Sequence, residues 1–346
     1  MKKLILSIIL LLIILTISCD SPTEAIDNSQ PGRRDYVWSV DTVKIEFNLL
    51  QKLSGVAPND IWAVGPGGGL DKTIWHFDGV NWSTDGKSRG ISPLTVFAFS
   101  KNDVWIAGYE GIIWHYDGNN WKESLNYKVA NHDISFADIW GESPNNIYAV
   151  GVSIYDGISK SIIFRYDGQN WKSNIFHDYN YQFHRIRKDI NGNGNYYILG
   201  YAISNSPNEE YYNDIGIFEY DGESSLNIFY KETFNIENFA DVRNFNDKTY
   251  LRIGRKIYSN YPRKEILQDN KPNTGGQIWG RNEKDIFLRM QDGIAHYNGT
   301  DIEYIYRFEN STSISITDAV IFENEIVFLA MDLQNNQNLI LRGALE

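Results

Sequence analysis

Residues 101–118 read KNDVWIAGYEGIIWHYDG. The segment combines two short apolar runs, rich in β-branched and aromatic residues, with a turn after each of them, which is typical of paired strands. Residues 57–79 and 143–168 repeat the same order. Self-similarity of this kind indicates a repeat architecture, in which each copy is one supersecondary unit that packs against its neighbours.

The period of the repeat indicates the kind of unit. The step from Trp62 to Trp105, and again from Trp105 to Tyr148, is 43 residues. This is the length of a four-stranded propeller blade. Weaker copies follow at residues 196–222, 249–258, 285–299 and 325–341. The sequence therefore predicts an all-β fold, a seven-bladed β-propeller of four-stranded blades.

The second copy shows where the strands of a blade should lie. They are expected at residues 95–99, 103–108, 112–116 and 120–125. Asp117-Gly118, between the third and fourth of these strands, predicts a type I′ hairpin turn, whose two central residues both need positive φ.

The two ends of the propeller are expected to form the last blade together. The seventh unit ends at residues 339–345 without a fourth strand of its own. Residues 36–44 alternate as a strand and carry Trp38, much as the fourth strands of the first three units carry a tryptophan. We expect this strand to close the seventh blade, which removes a free sheet edge.

The first residues have the layout of a secretory signal. Lys2 and Lys3 precede an uncharged apolar run, residues 4–17, that is too short for a membrane-spanning helix. The segment Thr16-Ile17-Ser18-Cys19 resembles the bacterial lipobox, in which the cysteine is acylated after cleavage. The resemblance implies a lipid anchor on Cys19 and a location in the bacterial cell envelope, on the periplasmic or cell-surface side.

Three segments follow from this pattern. Residues 1–18 are expected to be a lipoprotein signal peptide and residues 19–35, which are polar and contain two prolines, a flexible spacer. Residues 36–346 are expected to form the propeller domain.

Composition limits the chemistry of the mature chain. Cys19 is the only cysteine, so we expect neither a disulfide nor a cysteine-built metal site. The net charge is −12, and −14 once Lys2 and Lys3 leave with the signal. This charge disfavours nucleic acid as a partner, because affinity for phosphate backbones comes from lysine and arginine. A chain of this length can bury a large core without covalent staples. Apart from the calcium candidate below, no cofactor is expected, and the protein is expected to be a monomer.

The repeat resembles that of bacterial cell-surface lipoproteins with the consensus SPNDIWAVG…HYDGxxW. The match is strong over residues 53–171 and weak over the remainder. The resemblance implies a propeller with an extracellular role and implies no particular reaction.

Two patterns are candidates for metal sites. His76, His115 and His296 all directly precede the aromatic residue of the third-strand turn, and equivalent places in different blades cannot share one ion, so a structural role is predicted. Residues 189–195 read DINGNGN and match the opening of a calcium loop. Its candidate ligands are Asp189, Asn191, Asn193 and Asn195. The alternative for this segment is an Asn/Gly-rich hairpin without metal.

Lengthened loops are the best guide to a binding surface, since insertions in repeat arrays often lie on the binding face. In a propeller, the loops from the second to the third strand and the connections between blades emerge on one face. In units three and four these loops carry tyrosines beside carboxylates. The candidate binding residues are Tyr155, Asp156, Tyr179, Tyr181, Glu209, Glu210, Tyr211 and Tyr212. Such side chains suit a glycan or a polar protein surface.

Together these observations predict a membrane-anchored, extracytoplasmic lipoprotein whose propeller binds or scaffolds a protein or glycan without catalysis. The alternative is a glycan-processing enzyme, such as a sialidase-like glycosidase, on the same fold. The Asp-Gly-x-x-Trp segments, such as residues 117–121, are similar to the Asp-box hairpins of sialidase-type propellers but lack the leading Ser or Thr. The enzymatic alternative requires arginines and acids that converge in one pocket.

Overall fold

The computed structural model describes residues 30–45, 49–67, 72–176, 179–190, 192–203, 212–233, 238–259, 264–309 and 313–346. Over these ranges the chain forms 28 strands, which pair into seven antiparallel four-stranded sheets. Residues 31–346 are one compact unit. Within the described residues, no helix is long and apolar enough to cross a membrane.

Each sheet is one blade, and its strands are named a to d from first to last. Blade 1 is β2 (Lys52–Ala57), β3 (Asp60–Val64), β4 (Ile74–Phe77) and β5 (Trp82–Ser83). Blade 2 is β6 (Pro93–Ser100), β7 (Asp103–Gly108), β8 (Ile112–Tyr116) and β9 (Trp121–Asn126). Blade 3 is β10 (Asp133–Ser143), β11 (Asn146–Tyr155), β12 (Ile158–Tyr166) and β13 (Trp171–Phe176).

The remaining blades follow the same order. Blade 4 is β14 (Tyr181–Lys188), β15 (Tyr196–Ile203), β16 (Tyr212–Tyr220) and β17 (Leu226–Thr233). Blade 5 is β18 (Ala240–Phe245), β19 (Lys248–Ile253), β20 (Lys256–Ser259) and β21 (Lys264–Gln268). Blade 6 is β22 (Thr274–Asn282), β23 (Asp285–Met290), β24 (Gly293–Tyr297) and β25 (Ile302–Arg307). Blade 7 is β26 (Ile314–Ile321), β27 (Glu325–Asp332), β28 (Gln337–Leu345) and, as its strand d, β1 (Tyr36–Val43).

The predicted architecture is confirmed. The seven blades follow each other around a ring, because the a strands contact one another in order and β26 contacts β2 again. The predicted closure is also confirmed, since β1 pairs antiparallel with β28 from Tyr36 opposite Leu345 to Val43 opposite Asn338.

The type I′ prediction for the Asp-Gly turn between strands c and d is wrong. Tyr116 pairs with Trp121, so the loop has four residues rather than two. Gly118 has φ +90°, whereas Asp117 keeps negative φ. The Asp117 carboxylate instead accepts the backbone N–H groups of Asn119 (3.0 Å) and Asn120 (2.8 Å), which holds the loop as an Asx turn.

The core lies between neighbouring blades. Strand b sits in the middle of its blade and is covered on both faces, so Ile147, Tyr148, Ala149 and Val150 are all fully buried. This is why the b strands are apolar without alternation, whereas the d strands at the rim are polar. The apolar wedges between blades fix the blades relative to one another.

Candidate binding face and central channel

The three recurrent histidines form the same hydrogen bond in three blades. His76 Nε2 lies 2.6 Å from a carboxylate oxygen of Asp60, at the start of strand b. The corresponding pairs are His115 with Asp103 (2.8 Å) and His296 with Asp285 (2.7 Å). Each pair ties strand c to the start of strand b inside one blade. No group of three or more metal-ligating His, Cys, Asp or Glu side chains occurs among the residues that the structure describes.

The candidate calcium loop lies between β14 and β15, with Asn191 outside the described residues. Asp189 accepts the backbone N–H of Asn193 (3.3 Å), and Asn193 Oδ1 accepts the backbone N–H of Asn195 (3.0 Å). The side-chain amides of Asn193 and Asn195 donate to Glu219, at 2.9 Å from Asn195. Burial raises the pKa of Asp189. The described part of the loop is thus bridged by internal hydrogen bonds and by Glu219 of β16, whereas Asp189 Oδ1 is buried without a hydrogen-bond partner in the described structure. Calcium binding stays a prediction.

The candidate binding residues do not all reach the surface. Tyr155 and Asp156 lie at the tip of the β11–β12 hairpin, where Tyr155 is 47% exposed. Tyr181 is 5% exposed and packs against Phe218, because β14 is an inner strand, so its ring is not available to a ligand. Tyr179 is half-buried, and its hydroxyl donates to a backbone carbonyl at 2.9 Å.

The other four candidates cannot be placed on this surface. Glu209, Glu210 and Tyr211 lie outside the described residues, and Tyr212 begins β16 without a described side chain. The candidate patch as a whole therefore stays a prediction.

A cleft of about 520 Å³ opens beside Tyr155, between blades 2 and 3 on the same face. We call it the loop-face cleft. Its walls include Tyr109, Tyr127, His132 and Ile154, together with Lys128, Asp133 and other residues of the loops. The ring of His132 stacks on Tyr155 at 4.8 Å between centroids, and its Nδ1 lies 2.9 Å from Ser153 Oγ. The cleft thus combines preorganised aromatic rings with charges of both signs, and its volume is typical of ligand pockets.

The a strands place one residue per blade at the centre of the propeller. Each of these residues directly precedes a buried residue of its a strand, and several follow a β-bulge that re-aims the side chain. The set, which we call the channel ring, consists of Lys52, Thr95, Asp138, Arg185, Asp241, Gln277 and Asp318.

Four acceptors of the channel ring bind the next blade along, whereas Gln277 Oε1 is buried without a hydrogen-bond partner in the described structure. Asp138 accepts the backbone N–H of Ile186 at 3.0 Å, and Asp241 accepts that of Ile278 at 3.1 Å. In the same way, Thr95 accepts the backbone N–H of Ile139 in blade 3 at 3.3 Å. Asp318 accepts that of Leu53 in blade 1 at 3.2 Å. Lys52 and Arg185 have no acceptor atom and cannot make this bond.

Arginines pair with the three ring carboxylates, Asp318 through Arg243 at 3.6 Å. Arg187 bonds Asp138 at 2.6 Å, and both Arg185 and Arg243 bond Asp241. Burial lowers the pKa of Arg185 to about 9, and the neighbouring Arg243 and Arg187 cations add to the effect. Burial likewise lowers the pKa of Lys52 to about 8.

The arginine and acid side chains therefore converge, which is the feature that the enzymatic alternative requires. Their contacts nevertheless give them a structural task, because each carboxylate is held by a backbone N–H of another blade. Sequence reasoning missed this cluster. A signal for it was present, since Lys52, Thr95 and Asp138 are spaced by 43 residues, the same step as the tryptophan repeat.

Fold and surface together define the class: the protein is a seven-bladed β-propeller with an open, aromatic-lined loop face. No protein-family model matches the chain, and no curated protein matches its sequence. Solved propeller structures are similar to it over most of its length. YCF48 bound to a D1 peptide has a TM-score of 0.58 at 16% identity, covering 92% of this chain and 100% of that one.

Two further solved structures are similar. A structure of BBS1N in complex with ARL6DN has a TM-score of 0.56 at 10% identity, and the match covers 91% of this chain and 98% of that one. The WD40 β-propeller domain of Doa1 has a TM-score of 0.55 at 9% identity and covers 90% and 97%. At these identities the likeness shows the fold alone.

Proposed function

We propose that this protein is an extracytoplasmic lipoprotein, held at a membrane by lipid on Cys19, whose propeller binds a protein partner at the loop-face cleft. The observation that carries the proposal is the cleft itself. It lies on the face where the long loops emerge, and its aromatic walls are fixed by contacts such as the stacking of His132 on Tyr155. Rigid aromatic rings beside charged groups are typical of protein-recognition surfaces, because they offer contact area at small entropic cost.

The choice of a protein over a glycan draws on the comparisons. Two propellers of similar fold are seen with protein ligands, YCF48 with a D1 peptide and BBS1N with ARL6DN. These likenesses support a binding role and do not identify the ligand of this chain. The lipid anchor is supported by the lipobox-like segment that ends at Cys19.

Site-specific cross-linking in the native envelope tests the proposal. A photo-reactive amino acid is placed at Val129, which is 37% exposed in the wall of the loop-face cleft. The matched control position is Val80, which is 78% exposed in a c–d hairpin and therefore on the opposite face. We expect one protein to cross-link through Val129 and not through Val80.

The cross-linked protein is then purified and its binding measured. Tyr155→Ala should weaken the complex at least about tenfold, which corresponds to about 1.4 kcal/mol. Equal cross-linking at both positions, or an unchanged Kd for Tyr155→Ala, would overturn the loop-face assignment. A glycan that binds the wild type and not Tyr155→Ala, without any protein cross-link, would overturn the protein partner in favour of a glycan.

A further inference from the structure

Strand d of blade 1 is much shorter than the other d strands. β5 has two residues, Trp82 and Ser83, whereas the d strands of the other blades have five to eight. The strand ends because Asp85 starts a turn: its carboxylate accepts the N–H of Lys87 (3.1 Å) and pairs with Arg89. Gly86 continues this turn with φ +65°, a conformation that a strand does not use.

The short strand leaves part of β4 without a partner. β5 pairs with His76 and Phe77 only, so the outer edge of β4 at Ile74 and Trp75 has no strand beside it in the described part of the chain. In blade 2, by contrast, β9 pairs with the whole of β8. An unpaired strand edge offers backbone N–H and C=O groups to an added strand.

A cleft of about 580 Å³ lies next to this edge, between the outer parts of blades 1 and 2. We call it the rim cleft. Ile74, His76, Trp114 and Trp121 are among its walls, with Asn119 and other polar residues at its border. The Trp114 Nε1 is buried without a hydrogen-bond partner in the described structure, and no described aromatic ring packs on Trp114. Arg89 covers Trp121 instead, at 5.4 Å from the ring centre.

The next inter-blade space shows what normally fills this position. Between blades 2 and 3 the walls are equivalent, with Ile113 in place of Ile74 and Phe164 in place of Trp114. There, Leu125 of strand d and Tyr127, the residue after that strand, pack into the apolar cluster, and Tyr127 meets Phe164 edge-on at 4.8 Å.

Blade 1 lacks both of these side chains. Leu125 and Tyr127 lie four and six residues after Trp121, the first residue of strand d in blade 2. The residues at the same distances from Trp82 in blade 1 are Gly86, which has no side chain, and Ser88, whose side chain is small. The rim cleft is therefore the space that the missing strand would fill.

We infer that the rim cleft is a second docking site, which binds an extended peptide segment of a partner protein by strand addition to β4. The segment carries a leucine-like residue and, two positions later, an aromatic residue, in the manner of Leu125 and Tyr127. Main-chain hydrogen bonds to the N–H and C=O of Ile74 would supply affinity, and the two side chains would supply specificity. Backbone groups alternate along a strand, and the Gly65 N–H bonds the Thr73 carbonyl, so Trp75 faces β3 and Ile74 faces the open edge. The aromatic residue packs on Trp114, as Tyr127 packs on Phe164.

A synthetic peptide that copies residues 122–127, KESLNY, is the probe. The matched control is KESSNS, which keeps the length and charge and removes both apolar side chains. We expect saturable binding of KESLNY to the full chain with a Kd below about 1 mM. The control should bind at least about tenfold more weakly. Hydrogen exchange should slow at Ile74 when KESLNY is bound, because its amide faces the added strand, whereas the Trp75 amide faces β3 and should change little.

Two variants separate docking from a general loss of structure. Trp114→Ala should abolish binding of KESLNY, whereas Trp114→Phe should retain it, because phenylalanine serves at the equivalent place in blade 3. Tyr155→Ala, in the loop-face region, should leave binding of KESLNY unchanged, so this test is independent of the proposed function.

The inference is overturned if both peptides bind equally or if exchange slows in other blades and not at β4. Slow exchange at β4 that depends on protein concentration, without peptide, would also overturn it and assign the edge to a second copy of this chain. If Trp114→Ala does not fold, the comparison of the two peptides on the wild type still decides.

Discussion

Replacing Asp241 in the channel ring should destabilise the propeller strongly. The side chain is fully buried and accepts from Val242 N (2.9 Å), Ile278 N (3.1 Å) and Arg243 Nε (3.1 Å), and it also pairs with Arg185. Asp241→Asn keeps the shape of the side chain but removes its charge and one acceptor oxygen. The substitution thus changes electrostatics without opening a cavity.

The expected cost follows from the partners that stay behind. Arg243 retains Asp318 at 3.6 Å, but Arg185, which is 4% exposed, has no carboxylate left among its described ion-pair partners. Removing one partner of a buried ion pair costs about 3–5 kcal/mol, because it leaves an uncompensated charge in a poorly solvated site. We expect Asp241→Asn to lower the free energy of unfolding by an amount in this range.

Asp214→Asn is the matched control. Asp214 also pairs with a cation, Lys231 at 2.8 Å, but their side chains are 24% and 50% exposed. Solvent-exposed pairs contribute about 0–1 kcal/mol, so this change should be nearly neutral. Urea unfolding followed by tryptophan fluorescence measures both variants, with the slope compared to confirm that the same surface unfolds.

Two results would refute the reasoning. A loss below about 1 kcal/mol for Asp241→Asn would mean that water reaches the site and screens Arg185. If Asp241→Asn and Asp214→Asn lowered the free energy of unfolding equally, burial would not determine how much an ion pair contributes to stability. Adding Arg185→Met to Asp241→Asn removes the stranded cation and should recover part of the loss; a purely additive double variant would contradict the proposed coupling.

Three further predictions concern the anchor, the channel and the hairpin. Cys19→Ala should move the protein from the membrane fraction to the soluble fraction, and unchanged partitioning would contradict lipidation. Burial, with the nearby Lys52 and Arg185 cations, lowers the pKa of His184 to about 4, so the fold keeps it neutral while the unfolded chain binds a proton below about pH 6.5. Stability should therefore fall from pH 6.5 towards 4, and His184→Gln should remove about 1–2 kcal/mol of that fall in urea unfolding; identical profiles would refute this. Because Asp189 is the only carboxylate among the four candidate ligands and Asn193 Oδ1 already accepts the Asn195 N–H, 1 mM calcium should leave the melting temperature unchanged, and a rise would support the calcium loop.

The fold was predictable from sequence because the three strongest copies repeat every 43 residues, the length of a propeller blade, and the b strand of each copy is recognisable as an apolar run. The closure of blade 7 was predictable for the same reason, since residues 36–44 alternate as a strand and carry Trp38. The type of the turn between strands c and d was not predictable, because Asp-Gly is compatible both with a two-residue type I′ turn and with a four-residue Asx loop. The structure selects the Asx loop, in which the carboxylate of Asp117 bonds two backbone N–H groups.

The candidate site was only partly predictable. Loop length correctly indicated the face on which Tyr155 is exposed, but it did not separate surface tyrosines from core tyrosines. Tyr181 is buried because it begins an inner strand, which a tyrosine count in the loops does not show. The rim cleft was missed because it arises from what blade 1 lacks, and only a comparison of Gly86 and Ser88 with Leu125 and Tyr127 exposes it.

The polar pairs inside the blades explain how the repeat decays in sequence while the fold persists. Blades 1, 2 and 6 join the start of strand b to strand c through an Asp–His pair. At the same place blade 3 has Asn146 bonded to Arg165 at 2.9 Å, and blade 7 has Glu325 bonded to Arg342 at 2.5 Å.

Both partners differ together, so the bond is kept although neither residue of the Asp–His motif remains. A buried or half-buried polar group that lost its partner would cost about 1–3 kcal/mol, so a change of one partner favours a change of the other. In these five blades the shared feature is therefore the satisfied pair at one place in the sheet. A motif search that scores each position separately does not detect such a pair once both residues have changed.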